Sequence, residues 1–451
     1  MWESLGFRES PYNTNPLKVK AEDVELLIGR ERESLEFCTQ LESSRNGILI
    51  LSGPPGVGKT SFFNVQQHLL ESGQSAFGPR LMAARTLCPV QPEDDALSLA
   101  SRALDSYFRS TESYCLVNGI SLPSETQKIG KWVKGTVNNG FSIGLELFGF
   151  GGNLGRTVDL PCFADATFEN LVDAICVITS EVVSKLELSG SFIVFDNLEN
   201  LEDENLKSIL ITFRDTLFSI PDIWWVLIGQ SGLGTLIQTL DPRVFERTSG
   251  SGLEMPPISL EELDLAIGAR VSRFHSDGNG TAPLPMSVHE ELYNASFGEM
   301  RFVFKYGNNI CAKFVETTRM IVMGELKAQK LTISPSTLKT AVNKYIAKSM
   351  VNHNILHGIA MGHLREIVST ELSGLFLTNK QKEVLLKLGT TGKARPSDYA
   401  AFSIKTMQDF SQNYLIKMWR QHLLVREQEG RSVYYRLRGI ARMAHTFELL
   451  S

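Results

Sequence analysis

Residues 47–63 read "GILILSGPPGVGKTSFF". A short apolar, β-favouring run meets Gly53, four intervening residues, then Gly58, Lys59 and Thr60, and a helix-like stretch continues to about Leu70. Strand, glycine loop and helix in that order make a phosphate-binding P-loop. Glycines let successive backbone N–H groups curl around an anion, and the start of the helix adds its partial positive charge. On this reading Pro55, Gly56, Val57, Gly58, Lys59, Thr60 and Ser61 surround a nucleotide. Lys59 spans the β- and γ-phosphates, and Thr60 offers its hydroxyl to Mg²⁺. ATP and Mg²⁺ are therefore the expected cofactors.

The metal needs a second ligand, carried at the end of a neighbouring parallel strand. "SFIVFDNLENL", residues 191–201, supplies it. Ser191 to Phe195 has the continuous apolar character of a strand buried on both faces, and Asp196 closes it as the expected metal-holding, Walker B carboxylate. A solvated acid in a strand-ending turn is the alternative for that position. Cleavage also requires a group that orients or deprotonates water. Asn197 can orient through its amide but takes no proton. Glu199 lies three residues after Asp196 and shares its face if the chain turns helically there. It is the candidate base, or else a surface residue of the acidic stretch "NLEDEN".

Length and charge bound the rest. At 451 residues the chain is long enough for three domains. A hydrophobic content of 43% with 21% charged residues is that of an ordinary globular protein. The net charge of −5 does not point to a polyanion partner, but its distribution does. From residue 376 to 451 there are 13 Lys or Arg against 6 Asp or Glu, which puts +7 on this end and −12 on the remainder. The six cysteines form no CxxC pair and no Cys/His cluster, so neither a zinc site nor a disulfide framework is indicated. The first residues lack the pattern of a signal peptide, and no apolar run reaches the length of a membrane span. A cytoplasmic location with no membrane association is expected.

Together these elements resemble AAA+ ATPases, in particular the origin-recognition-like initiators and the STAND-type signalling NTPases related to them. In "NPLKVKAEDVELLIGRERESLEF" the positions Ile28, Gly29 and Arg30 match a box that the family places near adenine. "WWVLIGQSG" resembles the strand that carries the polar sensor-1 residue, here Gln230 or Ser231. "LDPRVFERTSGSGLEMPPISLEELDLAIGARVSRF" is similar to the initiator passage into a helical lid. The resemblance implies that Arg243, or failing it Arg247, is an arginine finger completing a neighbouring subunit's site; a surface ion pair is the alternative. "SFGEMRFVFKYGNNICAKF" resembles the sensor-2 signature Gly-x-x-Arg, which assigns Arg301 to the γ-phosphate, unless it is a structural Arg on an amphipathic helix. The family's Asp-Glu pair is here Asp196-Asn197, and its sensor-1 Asn is missing. An acid at position 199 looks more like the STAND pattern. Both departures touch cleavage and leave binding intact, so firm ATP binding with slow hydrolysis is expected.

Beyond the core, "NGFSIGLELFGFGGNLGRTV" reads as a β-hairpin inserted at about 139–158, either decorative or a contact for DNA or a subunit. His353 and His357 are spaced i,i+4 but have no acidic or Cys ligand nearby, so surface imidazoles are favoured over a metal site. From about residue 376 three short helices precede "VREQEGRSVYYRLR", which alternates around Glu429-Gly430 as a two-stranded wing. Three helices and a wing make a winged-helix domain, which puts its third helix in a major groove and its wing along the backbone. Lys405, Lys417, Arg420, Arg431, Arg436 and Arg438 are the cations expected against phosphates.

The expected fold is an α/β P-loop AAA+ domain, a parallel sheet flanked by helices, with an α-helical lid and a C-terminal winged helix. Its expected boundaries are 1–250 (with an N-terminal strap over 1–30), 251–360 and 361–451. The function expected is that of a nucleotide-dependent switch that assembles with copies of itself or partner ATPase subunits and engages double-stranded DNA. The alternative is a STAND-like signalling or antiviral defence NTPase whose winged helix docks protein partners.

Overall fold

The computed structural model describes residues 1–83, 88–135, 167–250, 252–278, 280–329, 334–350, 353–429 and 432–450. The expected 139–158 hairpin lies outside these residues. The chain divides into two compact units, one of Leu17–Pro55 and Lys59–Pro256, the other of Met1–Pro16, Gly56–Gly58 and Pro257–Ser451. The expected 1–30 strap is thus shared, with Met1–Pro16 in the second unit and Leu17 onward in the first.

The first unit is built on a parallel sheet. Its strands are β1 (Gly47–Ser52), β2 (Met82–Ala83), β3 (Cys88–Pro89), β4 (Ser191–Asp196), β5 (Ile223–Gly229) and β6 (Leu253–Glu254). They run in the order β2-β4-β5-β1-β6, with β3 sharing the β2 edge of β4. Every residue of β4 and of β5 is buried, as the unbroken apolar runs "SFIVF" and "IWWVLI" require of strands covered on both faces.

Side-chain alternation divides the sheet into two faces. Ile48, Ile50, Ile193, Phe195, Trp225 and Leu227 join one core cluster with the helices Ala96–Val117, Phe168–Lys185 and Asp203–Arg214. There Phe195 stacks on both Trp225 and Phe213, each at a centroid distance of 5.7 Å. On the other face Phe192 meets Phe63 edge-on, and Phe37 meets Phe62 and Phe63, which belong to the helices Glu31–Glu42 and Lys59–Ser72.

One expectation is corrected. The sequence reading places Asp196 on the strand next to β1, but β5 lies between them, because β5 pairs along its length with β1 on one side and β4 on the other. The ends of β1 and β4 are therefore about 10 Å apart, two strand spacings.

The second unit is helical, with a small C-terminal sheet. Its helices Leu260–Phe274, Met286–Ser296, Met300–Ala328 and Pro335–Met350 fall within the expected 251–360 lid, whereas His353–Gly374 crosses the expected boundary at 360. The first helix opens with a capping box in which Ser259 and Glu262 satisfy each other's backbone N–H. Met1–Pro16 is pinned to these helices by aromatic packing: Phe7 on His275, and Tyr12 on His289 at 5.5 Å with a 2.8 Å hydrogen bond between the hydroxyl and Nε2. Burial lowers the His289 pKa to about 4, so the ring is neutral.

The winged helix follows: Asn379–Thr391, a 3₁₀ segment Pro396–Phe402, a third helix and a two-stranded wing, β7 (Leu424–Glu429) antiparallel to β8 (Ser432–Leu437). The third helix runs without a break from Met407 to Arg420, and its centre, Phe410–Ile416, is π-helical. A last helix, Ile440–Thr446, closes the unit. Among the described residues no helix is long and apolar enough to cross a membrane.

Phe195→Ala is expected to cost about 3–5 kcal/mol, because it empties a fully buried aromatic site between Phe213 and Trp225. Chemical denaturation measures this as a lowered midpoint for the nucleotide unit.

Candidate nucleotide site

β1 ends at Ser52 and the helix Lys59–Ser72 begins seven residues later, so the loop between them must reverse over the carboxyl edge of the sheet. It does so with Gly56 at φ 73° and Gly58 at φ 103°, conformations that a residue with a Cβ rarely adopts. Space is open where a Cβ on Gly58 would sit. Lys59 Nζ donates to the carbonyls of Gly53 at 2.7 Å and Pro54 at 3.1 Å, which folds the ammonium back over the loop. Ser61 accepts the Leu17 N–H at 3.1 Å and so anchors the preceding segment to the head of this helix.

At the end of β4, Asp196 is 8% exposed and its Oδ1 accepts the Asn197 N–H at 2.9 Å. Asn197 is left-handed (φ 64°), and a 3₁₀ turn, Leu198–Asn200, follows. This turn is the local helicity needed to bring Glu199 back to Asp196. The Glu199 carboxyl stands 3.5 Å from where a Cβ on Gly229, the last residue of β5, would lie. The residue is exposed as a whole, yet desolvation of its carboxyl raises its pKa. The positive charge of Lys59 partly opposes the rise, and the negative charge of Asp196 adds to it.

Lys59, Asp196 and Glu199 thus share one electrostatic environment at the carboxyl ends of β1, β4 and β5. Gln230, at the end of β5, is half-buried beside it in sequence. Thr60 and Asp196 are hard oxygen donors of the kind Mg²⁺ takes, and a lysine-bearing glycine loop is what a triphosphate takes. The residues fit Mg-ATP.

The remaining expected residues fall elsewhere. Ile28 is half-buried and Gly29 is left-handed (φ 70°), while Arg30 is buried and bonds Glu33 at 2.9 Å. Arg243 lies in the short helix Pro242–Phe245, capped by Asp241, and is exposed. Its guanidinium has no hydrogen bond or ion pair among the described residues, although its charge helps hold the Asp215 carboxyl down after the larger effect of Arg214. Arg247 is tied to the Arg214 carbonyl and to Asp215 at 3.3 Å. Arg301 is exposed in the first turn of Met300–Ala328.

Of the six cations expected on DNA, Lys405, Lys417 and Arg420 are exposed. Arg436 is partly covered and pairs with Glu427 at 3.4 Å, and Arg431 lies outside the described residues. Arg438 is separated from this group: it is buried, and its guanidinium is paired with Glu299. His357 bonds Ser287 at 2.8 Å, and among the described residues no cluster of His, Cys, Asp or Glu could by itself hold a metal.

No protein-family profile matches the chain, and no curated protein matches it. Solved structures match it nearly end to end at low identity. The Aeropyrum pernix ORC2 protein in ADPNP-ADP complexes is 11% identical, with 98% of this chain and 97% of that one covered and a TM-score of 0.43. The A. pernix ORC1 protein in complex with DNA is 15% identical over 98% and 97%, with a TM-score of 0.40. Cdc6p from Pyrobaculum aerophilum is 13% identical over 97% of each chain, with a TM-score of 0.39.

Should Glu199 be the base, the ATPase rate must rise as pH climbs through its pKa, and the acid limb must lie above the ordinary carboxylate range because that pKa is raised. Glu199→Gln is expected to remove this limb and to lower the rate by about 10²-fold or more. Steady-state phosphate release against pH provides the check.

Proposed function

We propose that this protein is an AAA+ ATPase that works as a switch, binding Mg-ATP firmly, hydrolysing it slowly and engaging double-stranded DNA through its winged helix. The convergence of Lys59, Asp196 and Glu199 on one edge of the parallel sheet carries this reading. Lys59 leaves the Gly53 and Pro54 carbonyls to meet the β- and γ-phosphates, and the loop amides hold the β-phosphate. Thr60 and Asp196 would hold Mg²⁺, which would neutralise charge on the terminal phosphates. Glu199 takes the proton of the attacking water, while Asn197 and Gln230 can only orient it.

Hydrolysis is slow on this scheme because Asn197, directly after the metal-binding Asp, takes no proton and leaves that role to a base three residues away. Wild type should bind an ATP analogue and turn ATP over slowly, and Lys59→Ala or Asp196→Ala should abolish tight binding while leaving the fold intact. Unchanged affinity in both variants, measured by calorimetry, would falsify the site.

Arg243 completes the site of an adjacent subunit or partner ATPase, since it is the exposed and unpaired arginine of that region. The protein should therefore assemble with an ATP analogue and disperse without it. Arg243→Ala should leave ATP binding unchanged and lower turnover, by about 10³-fold if the guanidinium works as an arginine finger.

For DNA, the exposed Lys405, Lys417 and Arg420 meet the phosphates, with Arg436 reaching the backbone from the wing. Affinity for a duplex, followed by anisotropy, should fall steeply with salt. Replacing Lys417 and Arg420 with Ala should lessen the slope by about 1 per cation removed.

A second reading has one observation in its favour. Arg438 is committed to Glu299 and not to solvent, so this face of the winged helix is used for an internal contact, as in a STAND-like signalling or defence NTPase whose winged helix docks protein. No salt-sensitive duplex binding with or without ATP would select it.

A further inference from the structure

Within the nucleotide unit, the end of β4 is held from the side opposite β5. Pro89 in β3 pairs with Asp196, and the next residue, Val90, is fully buried and donates its N–H to the Asp196 carbonyl at 2.8 Å. The Val90 carbonyl in turn accepts the Asn200 side-chain amide at 2.8 Å. One residue at the β3 edge thus bonds both Asp196 and the last residue of the turn that carries Glu199.

Val90 is itself braced. Arg102, on the helix Ala96–Val117, donates to the Pro89 carbonyl and is paired with Asp94. Asp94 is 3% exposed, and its carboxylate also accepts the Gln91 N–H at 2.6 Å and the Ser98 hydroxyl at 3.0 Å. A buried carboxylate that gathers these donors fixes the chain around Val90, because withdrawing one of them leaves charge uncompensated away from water. Asn200 therefore meets an acceptor that stays in place.

The turn itself is short, Leu198–Asn200. Leu198 is buried in the core cluster and fixes its start, while Asn197 and Glu199 are exposed. Asn200 fixes its end, through its N–H to the Asn197 carbonyl at 3.0 Å and through its side chain to Val90. With Asn200 drawn toward β3, the neighbouring Glu199 carboxyl stands near Gly229 of β5, on the other flank of β4. A turn released at its end lets that carboxylate swing into solvent, and a displacement of about 1 Å is enough to slow a reaction about 10²-fold.

We propose that Asn200 is a positioning residue: by donating to the Val90 carbonyl it straps the turn to β3 and sets the Glu199 carboxylate beside the end of β5. This role rests on the reading of Glu199 as the base of Mg-ATP hydrolysis, and it adds what keeps that base in reach of the attacking water. It also explains how a carboxylate three residues beyond Asp196 can work where Asn197 cannot.

Turnover and analogue affinity of the full chain test it. Asn200→Ala should lower turnover at saturating ATP about ten-fold or more and leave the affinity for a non-hydrolysable ATP analogue within about two-fold, because Lys59, Thr60 and Asp196 keep their places. Asn200→Leu, close to Asn in size but without a donor, should do the same. In a Glu199→Ala background, where no carboxylate is left to place, adding Asn200→Ala should change turnover by less than about two-fold. A substitution that merely loosened the fold would lower turnover in both backgrounds. Full turnover in Asn200→Ala or Asn200→Leu, losses that multiply in the double variant, or an equal loss of analogue affinity each overturn the role of Asn200 and leave Glu199 standing as the base. Turnover undiminished by Glu199→Ala ends the reading of Glu199 and the role of Asn200 together.

Discussion

The order of the parallel strands governs the rest of the structure. With β5 wedged between β1 and β4, the lysine-bearing loop and the aspartate are held about two strand spacings apart on the same edge. This gap suits a phosphate with its metal. Adjacent strands would crowd Lys59 against Asp196 and favour a direct ion pair, which would have to be broken before any ligand entered. On the proposed reading the intervening strand is therefore part of the nucleotide site even though it supplies no charged ligand. Its burial on both faces, with Trp224 and Trp225 on opposite sides, makes the gap rigid.

Rigidity at the floor of the site contrasts with its rim. Asp196 ends a strand with every residue buried, whereas Glu199 rides a 3₁₀ turn entered through a left-handed Asn. This suits the roles proposed for them, since a metal ligand profits from being fixed and a proton acceptor must reach water. Desolvation and the charge of Asp196 raise the Glu199 pKa, and Lys59 tempers the rise. On the proposed reading, a carboxyl at position 199 coupled to Lys59 and Asp196 is why an Asn next to Asp196 does not by itself imply a dead site.

What could be read from the sequence follows from how local each feature is. The P-loop is legible because its glycines, lysine and flanking strand and helix lie within about twenty residues, and each has its own physical reason. Asp196 is legible because a strand covered on both faces leaves an unbroken apolar run that only its last residue interrupts. Which strands are neighbours is not local: "SFIVF" and "IWWVLI" carry the same pattern, and nothing in either says that one must stand beside β1. Arg438 groups with the basic face of the wing in sequence for a similar reason. A Lys- and Arg-rich strand end reads as solvated unless the acid that buries one of its members is known, and Glu299 is 139 residues away in the chain. The π-helical stretch in the third helix of the winged domain also left no composition signal.

These long-range features are also where the two readings of the C-terminal domain part. A winged helix that meets only DNA has no use for a buried arginine aimed at its own lid. A winged helix that only docks protein has no use for Lys405, Lys417 and Arg420 left exposed on a basic face. The chain carries both, so the domain has one arginine committed within the chain to Glu299 and another set of cations left to solvent.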